Sequence, residues 1–270
     1  MKSLLNVHVL EPERAPDGTA PTLVFAHGFG CDQSMWFDVA AGLPQSRRVL
    51  FDWPGAGRSD PNAYDSIRHR TLDGYAQDLL QLLEELALPS PVVIAHSVGA
   101  SIAMLAGRER PSAFGALALL CPSPCFLNDP PHYEGGFERA QLDGLIESLA
   151  QSQQAWARAV APMAMGNPEH PQFAQRLEDS FCAMDPDVAL RWARATFLSD
   201  IRATVPQLRV PTWVWQSERD DLAPLAVGEW LAATLPLAAL QVLPTHGHCP
   251  HVSAPDTVID AIRRLLGAHR

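Results

Sequence analysis

One stretch, Val92-Val93-Ile94-Ala95-His96-Ser97-Val98-Gly99-Ala100, constrains this chain more than any other. An apolar strand leads straight into a serine, and a helix-forming segment follows at once. A serine hydroxyl is a weak nucleophile unless it is held in the open beside a base. A sharp strand-to-helix turn presents it that way, but the turn crowds its own backbone, so the residues two before and two after must be small. Ala95 and Gly99 fill those positions, Ala95 standing where glycine is usual. Ser97 is the candidate nucleophile, and the fold must place this strand inside a sheet with a helix packed behind it.

The remainder of the chain has the pattern of such a fold. Short apolar runs predict strands at Leu4–Val9, Thr22–Ala26, Arg48–Phe51, Pro91–Ala95, Ala116–Leu120, Thr212–Gln216 and Ala239–Leu243. Their hydrophobicity does not alternate, which suggests strands covered on both faces, as in a parallel sheet. Leu72, Tyr75, Ala76, Leu79, Leu82, Leu83 and Leu86 recur at helical spacing, with Thr71 placed to cap that helix and Pro89 forbidding its continuation. The βαβα alternation predicts a three-layer α/β sandwich. It fails between about Phe126 and Asp200, where helical patterns carry many aromatic residues and no convincing strand. This segment reads as a helical insertion covering the carboxyl edge of the sheet.

Two loops at later strand ends carry the partners a serine needs. Ser217-Glu218-Arg219-Asp220-Asp221 follows one predicted strand, and Pro244-Thr245-His246-Gly247-His248 follows the next. The order Ser, Asp, His suits this architecture. His248 is placed to take the proton of Ser97, and Asp220 to orient and stabilise the imidazole. Asp221 is the rival carboxylate and His246 the rival base. An oxyanion hole needs two N–H donors. The helix start supplies Val98, and the loop His27-Gly28-Phe29-Gly30 supplies Phe29.

Composition removes several classes. A formal net charge of −10 argues against nucleic acid or an anionic membrane as partner. No stretch approaches the roughly 20 apolar residues of a membrane span. The N-terminal apolar run breaks too early for a signal peptide. Five cysteines, Cys31, Cys121, Cys125, Cys182 and Cys249, lack metal-ligand spacing and read as mostly buried free thiols, which suggests a cytoplasmic setting. No metal or cofactor is expected. Asp52-Trp53-Pro54-Gly55-Ala56-Gly57 contains Gly-x-Gly but lacks the third glycine of a nucleotide cradle, so it reads as a tight turn.

Taken together, these residues resemble the α/β-hydrolase superfamily along the whole chain, and one branch in particular. His27-Gly28-Phe29-Gly30, Asp32-Gln33-Ser34, Trp36 and His96-Ser97-Val98 look like the bacterial stress sigma-factor regulator hydrolases and the plant karrikin and strigolactone receptors. So do Ser123-Pro124, Asn128-Asp129, Gly135-Gly136-Phe137-Glu138, Gln216-Ser217 and Gly247-His248 before Pro250. The resemblance implies an α/β-hydrolase sandwich with a mostly parallel sheet. Its core would be residues 1–124 and 201–270, with a four-helix, V-shaped lid over 125–200. It implies Ser97, Asp220 and His248 in the catalytic positions, Phe29 and Val98 at the oxyanion hole, and a pocket lined by Phe126, Phe137, Leu145, Trp156 and Phe197.

Two functions follow as expectations. One is hydrolysis of a small, largely apolar ester or lactone through an acyl-enzyme. The other is a signalling receptor that turns over slowly and recruits a protein partner through the lid. The same Ser-Asp-His arrangement also serves C–C bond hydrolases and haloperoxidase-like enzymes. The chain departs from the branch at Ala95 and at Asp221, where related sequences place an apolar pocket residue. Asp221 is therefore expected to bear on pocket polarity.

Overall fold

The computed structural model describes residues 1–13 and 21–268. Seven strands form one sheet: β1 (His8–Leu10), β2 (Leu23–Ala26), β3 (Arg48–Leu50), β4 (Val92–His96), β5 (Ala116–Leu120), β6 (Thr212–Arg219) and β7 (Ala238–His246). Their spatial order is β1-β3-β2-β4-β5-β6-β7. Only β1 runs antiparallel, pairing His8 with Leu50; the other neighbours are parallel. The serine-bearing strand β4 sits at the centre, with β2 and β5 on its flanks.

The helices in chain order are α1 (Phe37–Ala41), α2 (Leu72–Glu85), α3 (Val98–Glu109), α4 (Arg139–Gln151), α5 (Gln153–Met165), α6 (Pro171–Ala183), α7 (Pro186–Phe197), α8 (Leu225–Thr234), α9 (Pro250–Ser253) and α10 (Pro255–Ala268). Helices α2, α3 and α8 cover one face of the sheet, and α1 and α10 the other. Alternate strand residues divide between two cores. Val24, Ala26, Val93, Ala95, Leu117 and Leu119 face the first; Leu23, Phe25, Val92, Ile94, Ala118 and Leu120 face the second. Both sets are buried, which is why these strands read as continuous apolar runs. Each buried Val, Leu or Ile stabilises by roughly 1.5–3 kcal/mol, so a central strand tolerates no polar residue that lacks a task.

Three details differ from the sequence expectation. The first strand forms at His8–Leu10 rather than Leu4–Val9, because the N–H groups of Leu4 and Leu5 turn back onto Met1 and Asn6 takes φ +46°. Leu5 is nevertheless fully buried. The last strand, at the sheet edge, is half-exposed in its first part and alternates exposed and buried from Val242 to His246. Thr71 precedes α2, but its hydroxyl bonds Asp73 and caps no backbone N–H.

The Gly-x-Gly loop after β3 is a tight turn. Buried Asp52 accepts the N–H groups of Gln33 (2.8 Å) and Arg58 (2.8 Å) and the Asn6 amide (2.7 Å), while Gly55 and Gly57 take positive φ. Trp53 in the same turn donates its indole N–H to the carbonyl of His27 and its backbone N–H to His27 Nε2. His27 therefore carries its proton on Nδ1, which donates to the Gly28 carbonyl. Through His27 the turn braces the loop that carries Phe29.

Between β5 and β6 stand the four helices α4–α7, with an apolar cluster of their own that merges with the end of the sheet. Trp192 of α7 is fully buried in the main core, stacked on Tyr75 at 5.3 Å. The C-terminal end of α5 is joined to the loop after β7. Ala164 O accepts the N–H of His248 (2.7 Å), and the Asn167 amide donates to His246 O (3.1 Å). Gly247, at φ +85°, permits this approach, since a Cβ there would lie 1.8 Å from Met165 O. No helix among the described residues is long and apolar enough to cross a membrane.

Gly247→Ala is expected to destabilise the fold by about 2 kcal/mol or more, from a left-handed backbone and a backbone clash together. Gly144→Ala, in α4 with no atom within 4 Å of the new methyl group, should instead stabilise by about 0.5–1 kcal/mol. Urea midpoints of the two variants would check the pair, and a mild Gly247→Ala would contradict the joint at this loop.

Candidate active site

Ser97 sits at the end of β4 with φ 54° and ψ −123°, a conformation that non-glycine residues adopt only under constraint. Its N–H donates to Leu120 O (3.0 Å), and α3 starts at the next residue. The close packing explains the small neighbours. A Cβ on Gly99 would lie 2.6 Å from His27 O, whereas Ala95, still within β4 opposite Ala26 and Leu119, is fully buried without conflict.

The predicted partners meet there. Ser97 Oγ donates to His248 Nε2 (2.7 Å), and His248 Nδ1 donates to Asp220 Oδ2 (2.8 Å). Asp220 Oδ1 accepts the N–H groups of Leu222 (2.9 Å) and Ala223 (3.0 Å), which fixes the carboxylate. All three side chains are buried. The structure separates the rivals: Asp221 and His246 are both exposed, and His246 is the last residue of β7, paired with Arg219. Asp221 therefore points away from the cavity, and Leu222 lines it instead. The expected effect of a second carboxylate on pocket polarity is not realised.

Val98 opens α3 directly after Ser97, and Phe29 lines the same cavity as the serine. Among the described residues, neither backbone N–H has a hydrogen-bond acceptor. Phe29 also contributes its ring, in edge contact with Trp156 (6.0 Å), Trp192 (5.6 Å) and Phe197 (5.7 Å).

At Ser97 lies a cavity of about 30 Å³, lined by Phe29, Cys31, Phe126, Trp156, Val160, Ala164, Leu177, Phe181, Thr196, Phe197, Leu222 and Cys249 around Ser97, His96 and His248. Of the pocket residues named from the sequence, Phe126, Trp156 and Phe197 line it. Phe137 and Leu145 do not; they stand behind it in the same apolar cluster, Phe137 against Phe126 at 6.4 Å. Sequence reading passed over Val160 and Ala164, although with Trp156 they recur every four residues along α5, and likewise Leu177 and Phe181 on α6. A wider cleft of about 780 Å³ opens between residues 66–73 and α7. None of Ser97, Asp220 and His248 borders it, and its charges are mixed, Arg70, Arg191 and Arg194 against Asp73, Asp187 and Asp200.

Behind the base is a wall of buried imidazoles that the sequence did not announce. His96 Nε2 donates to the carbonyl of His248 (2.8 Å), tying the residue before the serine to the base across 152 positions. His251 packs on His96 (4.3 Å) and Trp36 (4.4 Å), with both ring nitrogens lacking a partner. Burial lowers His27, His96 and His251, the last to about 3, and the neighbouring His251 and His248 lower His96 further. These rings are neutral.

Among the described residues, Cys121, Asp220 and His248 have donor atoms close enough for a metal ion, within 4.8 Å of one another. Burial holds the Cys121 thiol well above its ordinary range, and Asp220 and His248 are committed to each other. A protonated thiol beside a carboxylate and an imidazole already bonded to each other is a poor ligand set.

The sequence model of the alpha/beta hydrolase family matches residues 23–261. The chain belongs to this family. It is 39% identical over 252 residues to a probable esterase of Oryza sativa subsp. japonica, covering 93% of each chain. It is 38% identical to a karrikin insensitive 2 receptor CA of Petunia hybrida, covering 91% of each. A hydrolase from Oleispira antarctica has a similar structure, with a TM-score of 0.93 and 34% identity over 98% of this chain and 96% of its own.

The neutral imidazoles give the fold a direction of pH dependence. A folded-state pKa depressed below about 6.5 means that the unfolded chain binds protons first as the pH falls. Stability is thus held above about pH 6.5 and lost progressively below it, by up to about 1.4 kcal/mol per pH unit for each ring. His251→Phe, which also removes two unpartnered nitrogens, should reduce the loss between pH 6.5 and 4.5 by roughly 2 kcal/mol. Urea titrations across that range test this; unchanged slopes would mean that His251 is charged in the folded protein.

Proposed function

We propose that this protein is a cofactor-independent serine hydrolase of small, largely apolar esters or lactones. The observation that carries the reading is the hydrogen-bonded chain Ser97–His248–Asp220, at 2.7 and 2.8 Å. In this reading His248 Nε2 takes the Ser97 proton as Oγ attacks the carbonyl carbon, and Asp220 stabilises the resulting imidazolium. The N–H groups of Phe29 and Val98 receive the developing oxyanion, each worth about 3–4 kcal/mol in such a site. Collapse returns the proton from His248 to the leaving oxygen and leaves an acyl-Ser97 ester. Water, deprotonated by His248, then releases the acid and restores the serine.

Helices α4–α7, residues 125–200, act in this proposal as a lid that dries the site, a role supported by the apolar cluster joining them to the cavity. A cytoplasmic setting belongs to the same proposal and is supported by five unpaired cysteines.

Release of nitrophenol from short-chain 4-nitrophenyl esters tests the reading. Ser97→Ala should lower kcat by about 10³-fold or more and Asp220→Asn by about 10⁴-fold, while exposed Asp221→Asn stays near wild type. Hydrolysis undiminished in Ser97→Ala would end the assignment.

A second reading is favoured by the likeness to the petunia receptor: ligand binding with slow or single turnover, read out by a protein partner on the lid. Intact mass during the same reactions separates the two. Rapid multiple turnover supports the esterase. A single stoichiometric burst with a persistent adduct supports the receptor.

A further inference from the structure

Around the mostly apolar cavity three buried polar atoms have no partner: the hydroxyl of Thr196, the indole N–H of Trp156 and Nδ1 of His96, of which the first two are donors. Thr196 is on α7 and 1% exposed. A threonine inside a helix ordinarily returns its hydroxyl to a carbonyl one turn back. Thr196 does not, although its own carbonyl is used, accepting from Ser199. A hydroxyl withdrawn from water and left unbonded is costly, and the cost is recovered by whatever bonds to it.

The neighbours offer this hydroxyl nothing. Phe197 and Phe126, in ring contact at 5.3 Å, carry no acceptor, and Ser97 Oγ is committed to His248. Trp156 can only donate, so an occupant that satisfies these two donors presents an acceptor oxygen, whereas Nδ1 of His96, whose Nε2 donates to His248, is itself an acceptor.

We propose that Thr196 determines specificity. The substrate carries, besides the carbonyl that Ser97 attacks, a second acceptor oxygen, as ether, ring oxygen or carbonyl, bound by the Thr196 hydroxyl. The preferred class is then small oxygen-bearing esters or lactones over plain alkyl esters of the same shape. The proposal rests on the serine-hydrolase reading, and its test is arranged to fail separately.

The experiment compares isosteric pairs in which one methylene becomes oxygen: 4-nitrophenyl butanoate with methoxyacetate, and 4-nitrophenyl pentanoate with 3-methoxypropanoate. The readout is the kcat/KM ratio, oxygen over methylene, in wild type, Thr196→Val and Thr196→Ser. Comparing variants cancels the intrinsic reactivity of each ester. Thr196→Val keeps the shape and removes the hydroxyl, so the ratio should fall about tenfold for at least one pair and return in Thr196→Ser. A Thr196→Val ratio within about twofold of wild type for both pairs would overturn the proposal. If no ester is hydrolysed in a Ser97-dependent way, the hydrolase reading fails. The same preference is then read as binding of methyl 3-methoxypropanoate against methyl pentanoate by tryptophan fluorescence, where an unchanged ratio in Thr196→Val again overturns the role of Thr196. Thermal melting of both variants excludes misfolding as the cause.

Discussion

The turn from β4 into α3 is the constraint on which the rest of the site depends. Ser97 is held at φ 54° because both sides of the turn are pinned. Its N–H is bonded to β5, and Gly99 lies against the carbonyl of His27. That pressure propagates outward. The loop that carries Phe29 can approach only because Gly28 has no Cβ, which would stand 2.6 Å from His96 Nδ1. The loop in turn is braced by Trp53 through His27. A strained backbone persists only where the surroundings over-determine it, and here a central strand covered on both faces supplies that rigidity.

Much of this was legible because it obeys local rules. The elbow needs small residues at fixed offsets, and parallel strands feeding two cores read as unbroken apolar runs. Asp220 and His248 were found by following successive strand ends. What local rules could not decide was direction. Asp220 and Asp221 are adjacent, and it is the bonds from Leu222, Ala223 and His248 that hold one carboxylate inward. His246 and His248 differ by the strand's two-residue period together with the glycine turn between them, so the end of β7 settles which one faces Ser97.

The cavity was less legible for the same reason. Phe137 and Leu145 are apolar and near, yet the four-helix cluster uses them as backing, while Ala164 and Thr196, unremarkable by composition, face the space. Which side of an amphipathic helix meets a ligand and which meets another helix depends on crossings that periodicity does not encode. The wall of His96 and His251 shows the limit most clearly. Nothing in the sequence marks them as neutral, since their state follows from burial among one another.

The hydrogen bond from the N–H of His248 to Ala164 O makes the base a shared part. Its ring belongs to the serine, its carbonyl to His96, and its amide to the last turn of α5. The lining residues Trp156, Val160 and Ala164 lie on that same helix. Whatever shifts α5 strains the base through its backbone, and whatever seats α5 firmly holds the base in register. Occupancy of the cavity and readiness of the base are in this way one mechanical variable, reported at a single amide.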